Sequence, residues 1–223
     1  HKPDDAVFEL YRDDQCTVHQ ANMVMHGNTI HVDHPDDGSP SSNVKIGCAV
    51  GADGKLYHDY LNYGNNDGTG DYQQSQMVPF FGNENGMMPG QCVMMPSDDN
   101  DTEGPTYAKI GCSGKDPFRD AHGYHMLEYG ELRECHSDSL KTNRALNHQF
   151  IPFEHCMSME PGRSFMGVPG CGDDRHTIMY REDENSETCA NLGDFKMHTF
   201  KGKCKQDGMV RELCVDSSTG PQQ

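Results

Sequence analysis

Apolar and polar residues alternate along this chain in short runs. Ile30 and Val32 alternate with His31 and Asp33, and Val44, Ile46 and Cys48 alternate with Lys45 and Gly47. A period of two sends successive side chains to opposite faces of a strand. Asp- and Gly-rich turn signals separate the runs, and both residues tolerate left-handed backbone. Long stretches with a 3.6-residue period are missing, and Ala and Leu, the better helix formers, are scarce. The pattern predicts an all-β protein of short antiparallel strands with few or no helices. Sheets patterned in this way are apolar on one side, so their other side is expected to be wet.

The same pattern recurs. VKIGC at 44–48 returns as AKIGC at 108–112, with GVPGC and FKGKC as looser copies. After each of these cysteines comes an Asp/Gly turn and then a new strand. The new strands resemble one another: VFELYRDDQC ends at Cys16, HMLEYGELREC at Cys135, TIMYREDENSETC at Cys189 and MVRELC at Cys214. A second kind of cysteine strand recurs as QCVMMP and HCMSMEP. We therefore read tandem β-meander units over 5–53, 54–115, 116–174 and 175–207, with a half unit, MVRELCVDSS, after them. Residues 1–115 hold units one and two, and 116–223 hold units three, four and the half unit.

Composition narrows the class. Leu, Ile, Val and Phe supply only about 15% of the 223 residues, and the formal charge is −17. That combination ordinarily leaves a chain without a core. Ten cysteines change the picture. An even, high count fits an oxidising compartment in which disulfides make up for a thin core. The expectation is a secreted or cell-surface protein. His1 is not an initiator Met, which predicts a processed form whose signal peptide is gone. No apolar stretch is long enough to span a membrane. The acidic balance repels nucleic acid and favours cations or basic partners.

Pairing the cysteines unit by unit gives Cys16–Cys48, Cys92–Cys112, Cys156–Cys171 and Cys189–Cys204, which leaves Cys135 for Cys214. A rival scheme pairs Cys135 with Cys156 and Cys171 with Cys214, and an intermolecular Cys214 is a third option. Sequence does not choose among them. The half unit predicts an edge strand without a partner. The N-terminal segment HKPDDAVFELY is the candidate to supply that partner to a neighbouring copy by strand addition. Such a head-to-tail contact does not close on itself and builds a filament.

The unit Tyr-x-acidic followed by cysteine, then a polar stretch and an aromatic strand ending in cysteine, resembles the short cysteine repeats of secreted wall and surface proteins of algae and other protists. Tyr180 to Cys189 with Phe200 to Cys204, and Tyr11 to Cys16 with Cys48, carry the resemblance. It implies a structural or adhesive role in glycosylated fibres or coats, and it implies no catalytic residue. Unit two departs from it, because no cysteine follows LYHDYLNYGNNDG.

Three kinds of candidate chemistry remain. An N-terminal His1 offers an amine and an imidazole to copper, an arrangement that resembles the copper site of lytic polysaccharide monooxygenases. His58, His122 and His125 are the candidate second ligands. Against that reading, the chain has no Trp to stack on sugar. Acidic Gly-rich loops are candidates for calcium, with Asp67 and Asp71 in NNDGTGD and Asp99, Asp101 and Glu103 in SDDNDTEG. Neither loop carries the full twelve-residue pattern, and a solvated turn is the competing reading. Met23-x-Met25 and Met157-x-Met159 could hold Cu(I), but Met also fills cores that lack Leu. His31-x-x-His34 and His122-x-x-His125 place their rings on opposite strand faces. Asn100-Asp101-Thr102 is a glycosylation acceptor. No GxSxG, HExxH, CxxC or phosphate loop is present. The sequence therefore predicts an extracellular structural protein, a subunit of a filament or surface coat whose partners are other copies of itself and glycans. The alternatives are a copper-dependent monooxygenase using His1 and a calcium-binding surface adhesin.

Overall fold

The computed structural model describes residues 3–33, 42–63, 74–83, 86–96, 105–129, 145–171, 177–193, 195–199 and 210–216. These residues form an all-β, antiparallel structure with three sheets. The strands are β1 (Asp5–Tyr11), β2 (His19–Met25), β3 (Ile30–Asp33), β4 (Ser42–Val50), β5 (Leu56–Tyr63), β6 (Gln74–Pro79), β7 (Val93–Met94) and β8 (Tyr107–Ser113). Then follow β9 (Gly123–Glu128), β10 (Asn147–Pro152), β11 (Cys156–Glu160), β12 (Arg163–Gly167), β13 (Thr177–Asp183), β14 (Phe195–Thr199) and β15 (Val210–Val215). The only helical piece among the described residues is a 3-10 turn over Phe80–Gly82. No helix among them is long and apolar enough to cross a membrane.

A seven-stranded sheet has the order β15-β9-β10-β2-β1-β8-β7. Two four-stranded meanders flank it, β3-β4-β5-β6 and β11-β12-β13-β14. The chain takes the same route in both halves. It lays β1 and β2 in the wide sheet, runs through a meander, and returns as β7 and β8. After residue 116 it lays down β9 and β10, runs through the second meander and returns as β15. The pairing registers match as well. Ala6 faces Cys112 across β1 and β8, and Tyr124 faces Cys214 across β9 and β15. The halves meet where β2 pairs with β10, with Met23 opposite Gln149.

The unit boundaries expected from the KIGC seams cut across these sheets. VKIGC lies in β4 of a meander and AKIGC in β8 of the wide sheet, and Cys48 and Cys112 are bonded to each other. The expected local pairs Cys16–Cys48, Cys92–Cys112, Cys156–Cys171, Cys189–Cys204 and Cys135–Cys214 give way to Cys16–Cys92, Cys48–Cys112, Cys156–Cys189 and Cys171–Cys214. Of the rival scheme, Cys171–Cys214 holds and Cys135–Cys156 does not. Cys135 and Cys204 themselves lie outside the described residues. The physical reason is distance. A disulfide needs Cα atoms roughly 4.4–6.8 Å apart; contact between sheets brings Cys48 to Cys112 and Cys171 to Cys214, and contact within a sheet brings Cys16 to Cys92 and Cys156 to Cys189. The four Cα separations are 6.0, 5.2, 5.8 and 5.7 Å.

Two further expectations change. The wide sheet is not wet on one side. Ala6, Phe8, Ala108 and Ile110 pack against Cys48, Leu56, Phe80 and Met87 on one face. The other face buries Val24, His148, Leu127 and Phe150. Met23 and Met25 pack against the first cluster, which is the core-filler role expected of Met in a chain poor in Leu. The last strand is also not left over. β15 pairs with β9 from Val210↔Glu128 to Val215↔Gly123. The N-terminal strand β1 is paired on both sides, by β2 and β8, so it is not available to a neighbouring copy.

Candidate metal centre

His26, Asp116 and His148 come together at one end of the wide sheet. His26 follows the last residue of β2. His148 sits in β10, opposite Val24 on one side and Leu127 on the other. Asp116 belongs to the connection between β8 and β9. That connection is shaped by local bonds: Asp116 Oδ1 accepts from the Phe118 amide at 2.8 Å, and Ala121 N–H donates to Phe118 O at 3.0 Å. With Oδ1 held by the turn, Oδ2 is left to face the two imidazoles. Phe118 stacks on Phe150 at 5.0 Å, which holds the turn against β10.

Asp116 Oδ2 lies 2.9 Å from His26 Nε2 and 2.5 Å from His148 Nδ1. The Asp116, His26 and His148 side chains are 3%, 5% and 0% exposed. The outer nitrogens are held too. His26 Nδ1 is 2.8 Å from the carbonyl oxygen of Ala145. His148 Nε2 is 2.8 Å from His125 Nδ1, and His125 Nε2 is 2.9 Å from the carbonyl oxygen of Ala121. Thr29 Oγ1 also donates to Ala145 O, at 3.0 Å. Among the described residues, His26, Asp116 and His148 are the one group of at least three His, Cys or carboxylate side chains whose ligand atoms all lie within 4.8 Å of one another.

The charges follow from this arrangement. Burial alone would raise the Asp116 carboxyl, but hydrogen bonds from His148 and His26 outweigh it and hold the group far below the usual carboxylate range. Burial lowers the His26 imidazole, and the bond to Asp116 more than reverses that, leaving it above its ordinary value. His125 is pushed down to about 4, first by burial and then by the charge of His148, so it stays neutral at neutral pH. A surface cavity of about 430 Å³ opens over Asp116, lined also by Lys115, Pro117, Arg119, Asp120 and Ala121.

None of the site residues expected from the sequence is His26, Asp116 or His148. His1, Asp67, Asp71, Asp99, Asp101, Glu103 and the acceptor Asn100 lie outside the described residues. Of the candidate partners for His1, His122 is exposed and His125 is buried in the network above. His58 is in β5, stacked on Phe80 at 3.7 Å, with burial holding its imidazole below the ordinary value. The structure does not gather these three around a common point. His26, Asp116 and His148 carried no motif, because they come from three distant segments. One signal was available: His148 alternates with Phe150 in NHQFIP, which places a histidine on the buried face of a strand. Comparison with known proteins finds no matching family model, no matching curated protein and no matching solved structure.

Proposed function

We propose that the chain is an extracellular structural protein, a subunit of a filament or surface coat built from copies of itself. The observation that carries this reading is the covalent bracing of the sheets. Cys48–Cys112 ties β4 of the first meander to β8 of the wide sheet, and Cys171–Cys214 anchors the segment after β12 to β15. Two layers joined by a bond cannot slide apart, whatever the weakness of the core between them. Disulfides of this kind fit an oxidising compartment.

Assembly has to use an edge other than β1. Strand β6 is suited to it. Its sequence, QSQMVP, has no charged residue, and Ser75, Gln76 and Met77 are exposed. Sheet proteins ordinarily protect such an edge with Lys, a bulge or Pro, and β6 has only the Pro79 at its end. Pairing of β6 with a different edge of the next copy continues head to tail, and pairing of β6 with β6 would stop at a dimer. The net charge of −17 opposes association, so the copies should assemble better as ionic strength rises. Electron microscopy of the purified chain tests the reading. Filaments or extended sheets support it, and single particles at every concentration and salt level refute it.

A further inference from the structure

We propose that His26 Nε2, His148 Nδ1 and Asp116 Oδ2 form a binding site for one divalent transition-metal ion of the zinc type. The inference rests on which ring nitrogens carry hydrogen. A carbonyl oxygen only accepts, so His26 Nδ1, facing Ala145 O, must bear a proton. By the same rule His125 Nε2, facing Ala121 O, bears one. The His125 tautomer with its proton at Nε2 presents a lone pair at Nδ1, and His148 Nε2 is then the donor to it. In their neutral forms, His26 and His148 therefore both turn an unprotonated nitrogen toward the carboxylate oxygen of Asp116. Three lone pairs meet at one buried point.

Three electron pairs facing one another repel unless positive charge lies among them. Two protons, one on each ring, would supply it. So would one divalent cation, and like the protons it leaves every outer hydrogen bond as it stands. The outer bonds also have the form expected around a metal-bound imidazole, whose second nitrogen donates to a carbonyl or another acceptor. Asp5, buried at 7% exposure, adds further negative charge beside His26. Two imidazoles and one carboxylate suit zinc, copper, iron or nickel, and imidazole is a poor ligand for calcium. The cavity lined by Asp116 borders the same β8–β9 connection, while His26 and His148 do not line it. An ion here would join the end of β2, the β8–β9 connection and β10. It would be a fastening beside the disulfides, placed where no disulfide reaches among the described residues.

The test is a titration of the chelator-treated, oxidised full chain with Zn2+, followed by calorimetry. The expected result is one tight site per chain. His26→Gln and Asp116→Asn should each weaken binding by more than about 100-fold, beyond what loss of an outer partner usually costs. The half-buried His19 and the exposed His155, which face each other away from the cluster, serve as the control, and a His19→Gln, His155→Gln chain should bind as the parent does. Absence of binding, or equal binding by the His26 and Asp116 variants, would overturn the proposal. So would loss of binding in the control. If the buried variants do not fold, X-ray absorption of the Zn2+-loaded parent decides. Two imidazoles and a carboxylate oxygen in its shell support the site, and a shell without two imidazoles overturns it.

Discussion

Gly47 and Gly111 hold the same place in the two KIGC segments, yet a methyl group would meet different surroundings at each. At Gly47 an added Cβ would come within 2.3 Å of Pro3 Cβ and 2.6 Å of Asp4 O. At Gly111 nothing lies within 4 Å. Gly47→Ala should therefore cost roughly 1–3 kcal/mol, as overpacking does, while Gly111→Ala should stay within about 0.5 kcal/mol. Denaturant melts of the two variants check this. His58 makes a second prediction at this scale. Burial holds its folded pKa below the unfolded one. The stability it contributes is then fully present above the unfolded value, near 6.5, and is lost as pH falls below it. The melting temperature should drop on acidification from pH 7, and His58→Phe, which keeps the stack on Phe80, should reduce that slope. A slope unchanged in the variant would remove His58 from the account. Residue identity was legible in the sequence where a local rule governs it, as for Met23 and Met25 in the core. It was not legible for Asp116, whose role depends on rings contributed from 90 and 32 residues away.

At the scale of elements, alternation found the strands well. Val44, Ile46 and Cys48 do lie in one strand, as do Ile30 and Val32. Their partners were another matter. Alternation shows that a strand has two faces, but it carries no information on which strand lies beside it. Reading each KIGC as the closing strand of its own meander followed from chain adjacency. The contact between β4 and β8 that joins Cys48 to Cys112 comes instead from one sheet packing on another. The resemblance between VFELY and HMLEY held a clue to this. These segments fall in and beside β1 and β9, which have matching places in the wide sheet. For β6 the prediction is direct. Gln76→Lys puts a charge on an exposed, charge-free edge and should reduce assembled mass several-fold while leaving the circular dichroism spectrum unchanged. Light scattering reads the first quantity. Full assembly of the variant would exclude β6 as the contact.

The whole molecule is held by more than its apolar clusters. With a thin supply of Leu, Ile, Val and Phe, the bonds between sheets should carry a large share of the stability. Removing Cys48–Cys112 with Ser at both positions opens a link spanning 64 residues. It should cost about 2–5 kcal/mol, read as a lower denaturation midpoint. A midpoint unchanged from the parent would mean that the sheets do not need the brace. Composition made the need for disulfides legible, because an even cysteine count and a small core point the same way. Connectivity was beyond it, since ten cysteines leave many pairings open. The central claim is that this braced molecule exists to join others like itself. Electron microscopy of the purified chain at physiological salt, with light scattering over a dilution series, tests it most directly. The account predicts extended filaments or sheets whose mass falls on dilution and rises with ionic strength. A monomer at every concentration and every salt level would contradict it.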